Sequence, residues 1–216
     1  NWMPDNINND TIVVSPLVTT IYTVTATDSL GCSVSEPVEV TVFGNPEPTV
    51  VSNNYNGCQS FCPTFTDLTL FPAGSIISTR EWSFGDGNEA KDDSLVDHCY
   101  INEGKYDVTL TLITDKGCRN TVTWEDFIEV FPNPKADFIA NPPSTNILSP
   151  AITFTNHSIG ADHFLWNFGD NDSIFTKNNI HHSYQDTGSF NVRMVALTDK
   201  NCIDSIKSTI VISPYY

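Results

Sequence analysis

Two small groups of side chains have the types to do chemistry. Asp170, Asn171 and Asp172 form an acidic cluster of hard oxygen donors, with Asp170 and Asp172 as candidate calcium ligands. The ligand spacing of an EF-hand is absent. Cys58, Cys62, His98 and Cys99 offer soft donors for zinc, but not at zinc-ribbon spacing. The motifs G-x-S-x-G and H-E-x-x-H and the Walker loop are missing, and no Cys/His pair has nucleophile spacing. The chain reads as non-enzymatic, with no cofactor apart from the calcium candidate.

A repeat shows which elements hold these residues. Residues 81 to 90 read EWSFGDGNEA and residues 165 to 174 read LWNFGDNDSI. Trp82 and Trp166 are 84 residues apart. The same offset relates Gly85-Asp86 to Gly169-Asp170, His98 to His182, Tyr100 to Tyr184, Asp115-Lys116 to Asp199-Lys200 and Cys118 to Cys202. An uninterrupted frame of this length marks two copies of one module. Asp86 and Asp170 thus recur within a fold signature, where a carboxylate after glycine shapes a tight turn by accepting local N–H groups. Trp82 and Trp166 are suited to fill the space between two sheets, and Tyr100 and Tyr184 to staple a corner. His98 and His182 read as corner residues.

Strand periodicity runs through both copies. Tyr106, Val108, Leu110 and Leu112 alternate with Asp107, Thr109 and Thr111, as a half-buried strand requires. No segment carries a sustained helical stripe. The runs FGNPEP and FPNPKA end one module and begin the next, which divides the chain into 1–44, 45–132 and 133–216. The first segment is a half-module: Ile21–Cys32 parallels Lys105–Cys118, but the strands that would complete its sheet are missing. Left alone it would expose an apolar face and an unpaired edge. The opening NWMPDN, with neither an initiator Met nor a signal peptide, is what a piece of a longer protein would show.

Composition narrows the partners. The chain has 216 residues, 26 Asp plus Glu against 10 Lys plus Arg, and a formal charge of −16. That charge repels phosphate backbones and anionic lipid, so neither nucleic acid nor an anionic membrane surface is an expected partner. No stretch approaches the roughly 20 apolar residues of a membrane span, so direct membrane insertion is not expected either. Hydrophobic residues at 39% and aromatics at 11% suffice for packed cores. Six cysteines without metal-site spacing suit an oxidising compartment.

The motif resembles the PKD (polycystic kidney disease) repeat. It reads Trp82, Phe84, Gly85, Asp86, Gly87, then His98, Tyr100, Gly104, Tyr106, Val108, then Thr114, Asp115, Gly117, Cys118. The second copy has Trp166, Phe168, Gly169, Asp170, His182, Tyr184, Gly188, Phe190 and Cys202, with Asn171 and Asn201 where glycine is usual. Asparagine tolerates the left-handed backbone, so both turns should survive. The resemblance implies an all-β chain of tandem immunoglobulin-like/PKD sandwiches with a partial immunoglobulin-like module at the N-terminus.

In an immunoglobulin-like topology Cys62 and Cys99 belong at the same end of the sandwich, so a Cys62–Cys99 bridge is expected. It would add on the order of 3–4 kcal/mol. Cys58 is left to meet Cys202 across the module junction, or Cys118; zinc at Cys58, Cys62, His98 and Cys99 is the alternative.

The half-module and the cysteine-bearing repeat are similar to repeats of Bacteroidetes surface proteins that carry a type IX secretion domain, gliding-motility adhesins among them. That implies export by the type IX machinery and a place at the cell surface, outside the outer membrane. Asp followed by Ser or Thr and an aliphatic residue is similar to the Bacteroidetes O-glycosylation sequon. It occurs with acceptors Thr11, Ser29, Ser94, Ser173 and Ser205; such pairs are also common in turns. The expected role is a stiff structural or adhesive spacer, touching neighbouring modules or filament subunits and surface glycans. The alternative is a carbohydrate-binding accessory module of a secreted polysaccharide-degrading enzyme, with Trp124, Tyr215 and Tyr216 as the candidate sugar platform.

Overall fold

The computed structural model describes residues 1–216 with the exception of Pro72, Asn178 and Tyr216. Among the described residues all regular structure is β, and no helix is long and apolar enough to cross a membrane. The chain divides into two compact units. The first holds Asn1–Val51, Phe65–Val96 and Val108–Trp124; the second holds Ser52–Thr64, Asp97–Asp107 and the chain from Glu125 onward.

The N-terminal segment, in the first unit, is one sheet of three strands in the order β1 (Trp2–Met3), β2 (Thr20–Thr27), β3 (Ser33–Val40). Trp2 pairs with Val24, and its indole N–H donates to the Asn9 carbonyl at 3.0 Å. Tyr22 is buried, whereas Ile21, Val34 and Val38 stay exposed. Strands β1 and β3 are the sheet's edges.

The middle repeat contributes β4 (Val50–Ser52), β5 (Asn56–Cys58), β6 (Thr64–Asp67), β7 (Ile77–Ser83), β8 (Glu89–Lys91), β9 (Leu95–Asp97), β10 (Gly104–Thr114) and β11 (Arg119–Phe131). They form a three-stranded sheet β4-β6-β9 and a five-stranded sheet β5-β11-β10-β7-β8. Phe65 of the smaller sheet packs on Trp82 and Phe84 at ring distances of 6.2 and 5.2 Å. These three side chains lie in the first unit and are essentially inaccessible to solvent. The alternation read in β10 places Val108, Leu110 and Leu112 inside.

The last repeat, wholly in the second unit, repeats the plan. Its strands are β12 (Phe138–Asn141), β13 (Ser144–Asn146), β14 (Ala151–Asn156), β15 (His163–Asn167), β16 (Ser173–Phe175), β17 (Ile180–Ser183), β18 (Gly188–Leu197) and β19 (Ile203–Ser213). They make sheets β12-β14-β17 and β13-β19-β18-β15-β16. Phe138 and Phe154 of one sheet close on Trp166 of the other at 5.2 and 5.9 Å, so the core lies between two layers. Trp166 pairs with Met194 as Trp82 pairs with Leu110, which keeps the 84-residue offset in the strand register. In each copy one short strand, β5 or β13, runs parallel to the last strand while the rest of the described ladder is antiparallel.

Candidate functional site

The Gly-Asp turns follow strands β7 and β15. Gly85 and Gly169 have φ of 80° and 84°, a left-handed backbone that side chains resist. A Cβ on Gly169 would meet the Asn191 backbone at 2.8 Å. Two residues on, Gly87 and Asn171 share this conformation, with φ of 91° and 77°; Gly117 and Asn201 share it in the later turn, at 79° and 63°. Asparagine thus replaces glycine where the backbone is left-handed, and both turns persist. Asp86 Oδ1 accepts the Asn88 N–H at 3.1 Å, and Asp170 Oδ1 accepts the Asp172 N–H at 3.1 Å. Each carboxylate closes its own turn.

In the last repeat the turn is anchored from behind. His182 Nε2 lies 2.6 Å from Asp170 Oδ2, and the imidazole lies flat on Phe168 with ring centres 4.0 Å apart. The Tyr184 hydroxyl donates to the Phe168 carbonyl at 3.1 Å. Burial, then the nearby Asp170 carboxylate, push the Tyr184 phenol well above its ordinary range. Tyr184 therefore ties its strand end to the turn sixteen residues upstream.

Asp170, Asp172 and His182 place one ligand atom each within 4.8 Å of one another. Both Asp170 oxygens already have partners, Oδ1 the Asp172 N–H within the turn and Oδ2 the His182 ring on β17. Calcium takes six to eight oxygens, so an ion held here would draw further oxygen ligands from outside these three residues.

Four cysteines pair. Cys62 joins Cys99 with Cα atoms 4.0 Å apart, and Cys58 joins Cys202 with Cα atoms 5.5 Å apart. Zinc at Cys58, Cys62, His98 and Cys99 is thereby ruled out, since the three thiols are consumed in bridges. Cys118, the other partner considered for Cys58, remains a thiol, as does exposed Cys32.

The two proline-containing linkers are held by the same three positions, at the last turn and the strand that follows it, 84 residues apart. In the first unit Lys116 stands over the Phe43 ring at 5.5 Å, the Cys118 thiol lies 3.8 Å from the Phe43 carbonyl, and Asn120 Nδ2 donates to the Pro46 carbonyl at 2.9 Å. In the second unit Lys200 stands over the Phe131 ring at 5.1 Å, Cys202 takes Cys58, and Asp204 accepts the Ala136 N–H at 2.9 Å. Gln59 adds two bonds there, its N–H to the Phe131 carbonyl and its side-chain oxygen to the Asn133 N–H. Sequence reasoning offered Cys202 as a partner for Cys58 across the junction, but missed the lysine and Asn/Asp contacts. The available signal was the recurrence of Asp-Lys-x-Cys, at Lys116 and Lys200, in each module that follows a Phe-x-Asn-Pro run.

The five sequon acceptors, Thr11, Ser29, Ser94, Ser173 and Ser205, are all exposed. Of the aromatics considered for sugar binding, Trp124 is half-buried on β11, Tyr215 is exposed, and Tyr216 lies outside the described residues. Sequence reasoning passed over Phe175, which is 61% exposed on β16.

Comparison with known proteins supplies the family. Residues 45–130 and 132–213 each match the model of the PKD domain, together more than three quarters of the chain. Among solved structures, an E-to-A variant of the three-domain titin fragment I67–I69 is 13% identical, with TM-score 0.48, covering 100% of this chain and 87% of that one. A calcium-stabilised adhesin with which an Antarctic bacterium binds ice is 11% identical, with TM-score 0.40, covering 92% of this chain and 57% of that one. A carbohydrate-binding module of the β-sandwich superfamily is 11% identical, with TM-score 0.38, covering 79% and 93%. Likenesses at this level assign no role.

Proposed function

Because this chain belongs to the PKD domain family, we propose that it is a non-catalytic extracellular segment, structural or adhesive, whose modules act as a stiff spacer within a larger surface protein or filament. PKD and immunoglobulin-like domains are typically structural modules, and two disulfides suit an oxidising exterior. One observation carries the reading: both linkers are clamped by the same Lys, Cys and Asn/Asp positions of the module that follows. A chain free to swing at its joints would have no use for the same clamp twice.

The finer setting belongs to the same proposal. Export by type IX machinery, a gliding-adhesin-like parent from Bacteroidetes, O-glycosylation at the five exposed sequons and a place outside the outer membrane rest on the sequence resemblance. The partners are then the neighbouring modules or filament subunits and surface glycans.

Small-angle scattering tests the spacer. Lys116→Ala/Lys200→Ala with Cys58→Ser/Cys202→Ser should broaden the distance distribution while near-UV circular dichroism stays native. An unchanged distribution would reject the clamp. The second reading, a carbohydrate-binding accessory module, is favoured by one sheet face of the last repeat.

A further inference from the structure

The outward residues of β16, β15, β18 and β19 line up in rows across the last repeat's five-stranded sheet. Lys207 lies opposite Arg193, Arg193 opposite Asn167, and Asn167 opposite Ser173. The adjoining row runs Ser205, Val195, Leu165, Phe175. A shallow depression of about 570 Å³ is lined by Leu165, Asn167, Asn191, Arg193, Val195 and Lys207. That volume falls within the range of ligand clefts, roughly 300–1,000 Å³. No carboxylate occupies an outward position on these four strands. Among the described residues neither Arg193 nor Lys207 has a carboxylate partner; Arg193 Nη2 reaches only the Ser205 hydroxyl, at 3.3 Å.

The middle repeat is an internal control. At the 84-residue offset, Glu81, Glu89 and Asp107 become Leu165, Ser173 and Asn191, while Thr109 and Thr123 become Arg193 and Lys207. On the middle sheet Glu81 takes both Lys91, at 3.3 Å, and Arg119, at 3.7 Å, and the two threonine hydroxyls bond each other at 2.8 Å. The fold therefore does not need cations at these positions. In the last repeat three acids are gone and two cations face each other across an antiparallel pair, which disfavours the folded sheet. In a chain of formal charge −16 this is a local reversal of sign. A bound anion would relieve it.

We propose that this face docks an anionic polysaccharide. Arg193 and Lys207 would hold its carboxylates, the guanidinium in a two-pronged contact. The Asn167 and Asn191 amides would take its hydroxyls, and Leu165 with exposed Phe175 the apolar face of a sugar ring. The mixture of apolar body, amides and cations on adjacent strands suits a pyranose, which has an apolar face and a hydroxyl rim. A second copy of the chain would bring its own large negative charge, and beyond a Debye length of about 8 Å only the local charges count for a flexible polymer. The face belongs to one module and does not depend on the joints, so its failure and the failure of the spacer reading are separate results.

Affinity electrophoresis of the unglycosylated 216-residue chain tests it. Native gels contain polygalacturonate, neutral dextran or poly-L-glutamate. The expected result is retardation by polygalacturonate alone. Arg193→Thr/Lys207→Thr, which installs the middle repeat's own residues, should weaken it at least about tenfold. Lys91→Ala/Arg119→Ala on the middle sheet should leave it unchanged. Equal mobility in polygalacturonate and dextran would overturn the proposal, as would retardation that survives the double threonine variant. Equal retardation by poly-L-glutamate would give the face to acidic polypeptides instead. Self-association in sedimentation velocity, abolished by the same variant, would give it to a second copy.

Discussion

His182 Nε2 lies 2.6 Å from Asp170 Oδ2, with the imidazole laid flat on Phe168 at 4.0 Å. A carboxylate of the signature turn is thus spent on an internal contact. If that contact is structural, a chelator should change nothing. The melting temperature is expected to be the same in EDTA and in millimolar calcium. His182→Ala should destabilise the last repeat by about 1–3 kcal/mol in either buffer, through the lost bond and lost packing. A rise in melting temperature with calcium that disappears in Asp172→Asn would establish Asp170 and Asp172 as ligands.

The two core tryptophans differ in one bond. The Trp82 indole N–H donates to the Asp93 carbonyl at 3.0 Å, whereas the Trp166 indole N–H is buried with no partner among the described residues. Phenylalanine loses ring volume at either site, but only at Trp82 does it also lose a hydrogen bond. Trp82→Phe should therefore cost more than Trp166→Phe, by about 1 kcal/mol in chemical denaturation. Equal costs would mean that the indole bond contributes nothing.

Tyr184 should give the fold an alkaline limit. Burial first, and then Asp170, raise its phenol above the ordinary value of 10. For a group raised on folding, the contribution is complete below the unfolded pKa and is lost as pH climbs above it toward the folded value. Stability should be level up to about pH 10 and decline beyond it. Tyr184→Phe should flatten that decline while lowering stability at neutral pH, because the bond to the Phe168 carbonyl is gone. Urea titrations between pH 8 and pH 11 read both effects, and an alkaline limb of unchanged slope in the variant would exclude Tyr184 as its source.

The sequon acceptors make a prediction about material from the native host. Ser173 and Ser205 stand in the two outward rows that hold Arg193 and Phe175. Glycans at these two positions would cover the proposed docking face. Glycopeptide mapping should find Thr11, Ser29 and Ser94 modified, and wherever Ser173 or Ser205 is modified the chain should lose polygalacturonate binding. Five unmodified acceptors would remove the glycosylation proposal.

What the sequence made legible followed from matching positions. The 84-residue frame carried over into register, so that Trp82 opposite Leu110 predicts Trp166 opposite Met194. Asn171 and Asn201 were readable as left-handed turns because few other side chains tolerate that backbone. Of the joints only the Cys58–Cys202 bridge was legible, as one of two options; the rest were not, since Asn120 meets Pro46 and Cys118 meets Phe43 across 74 and 75 residues. Nothing local encodes such a contact. The outer sheet face escaped for a different reason. Its meaning lies in positions where the copies differ, Glu81 against Leu165 and Thr109 against Arg193, and those differences acquire significance only when the strands show that they share one surface.

The Cys58–Cys202 bridge has a mechanical consequence. It closes a sequence separation of 144 residues, which fully extended would span roughly 500 Å. Tension applied to the two ends of the chain runs through the sulfur bond and bypasses everything between. The strands from β6 to β18 cannot be drawn out while it stands. Pulled under oxidising conditions, the chain is a short strap; pulled with reductant, it becomes a long one.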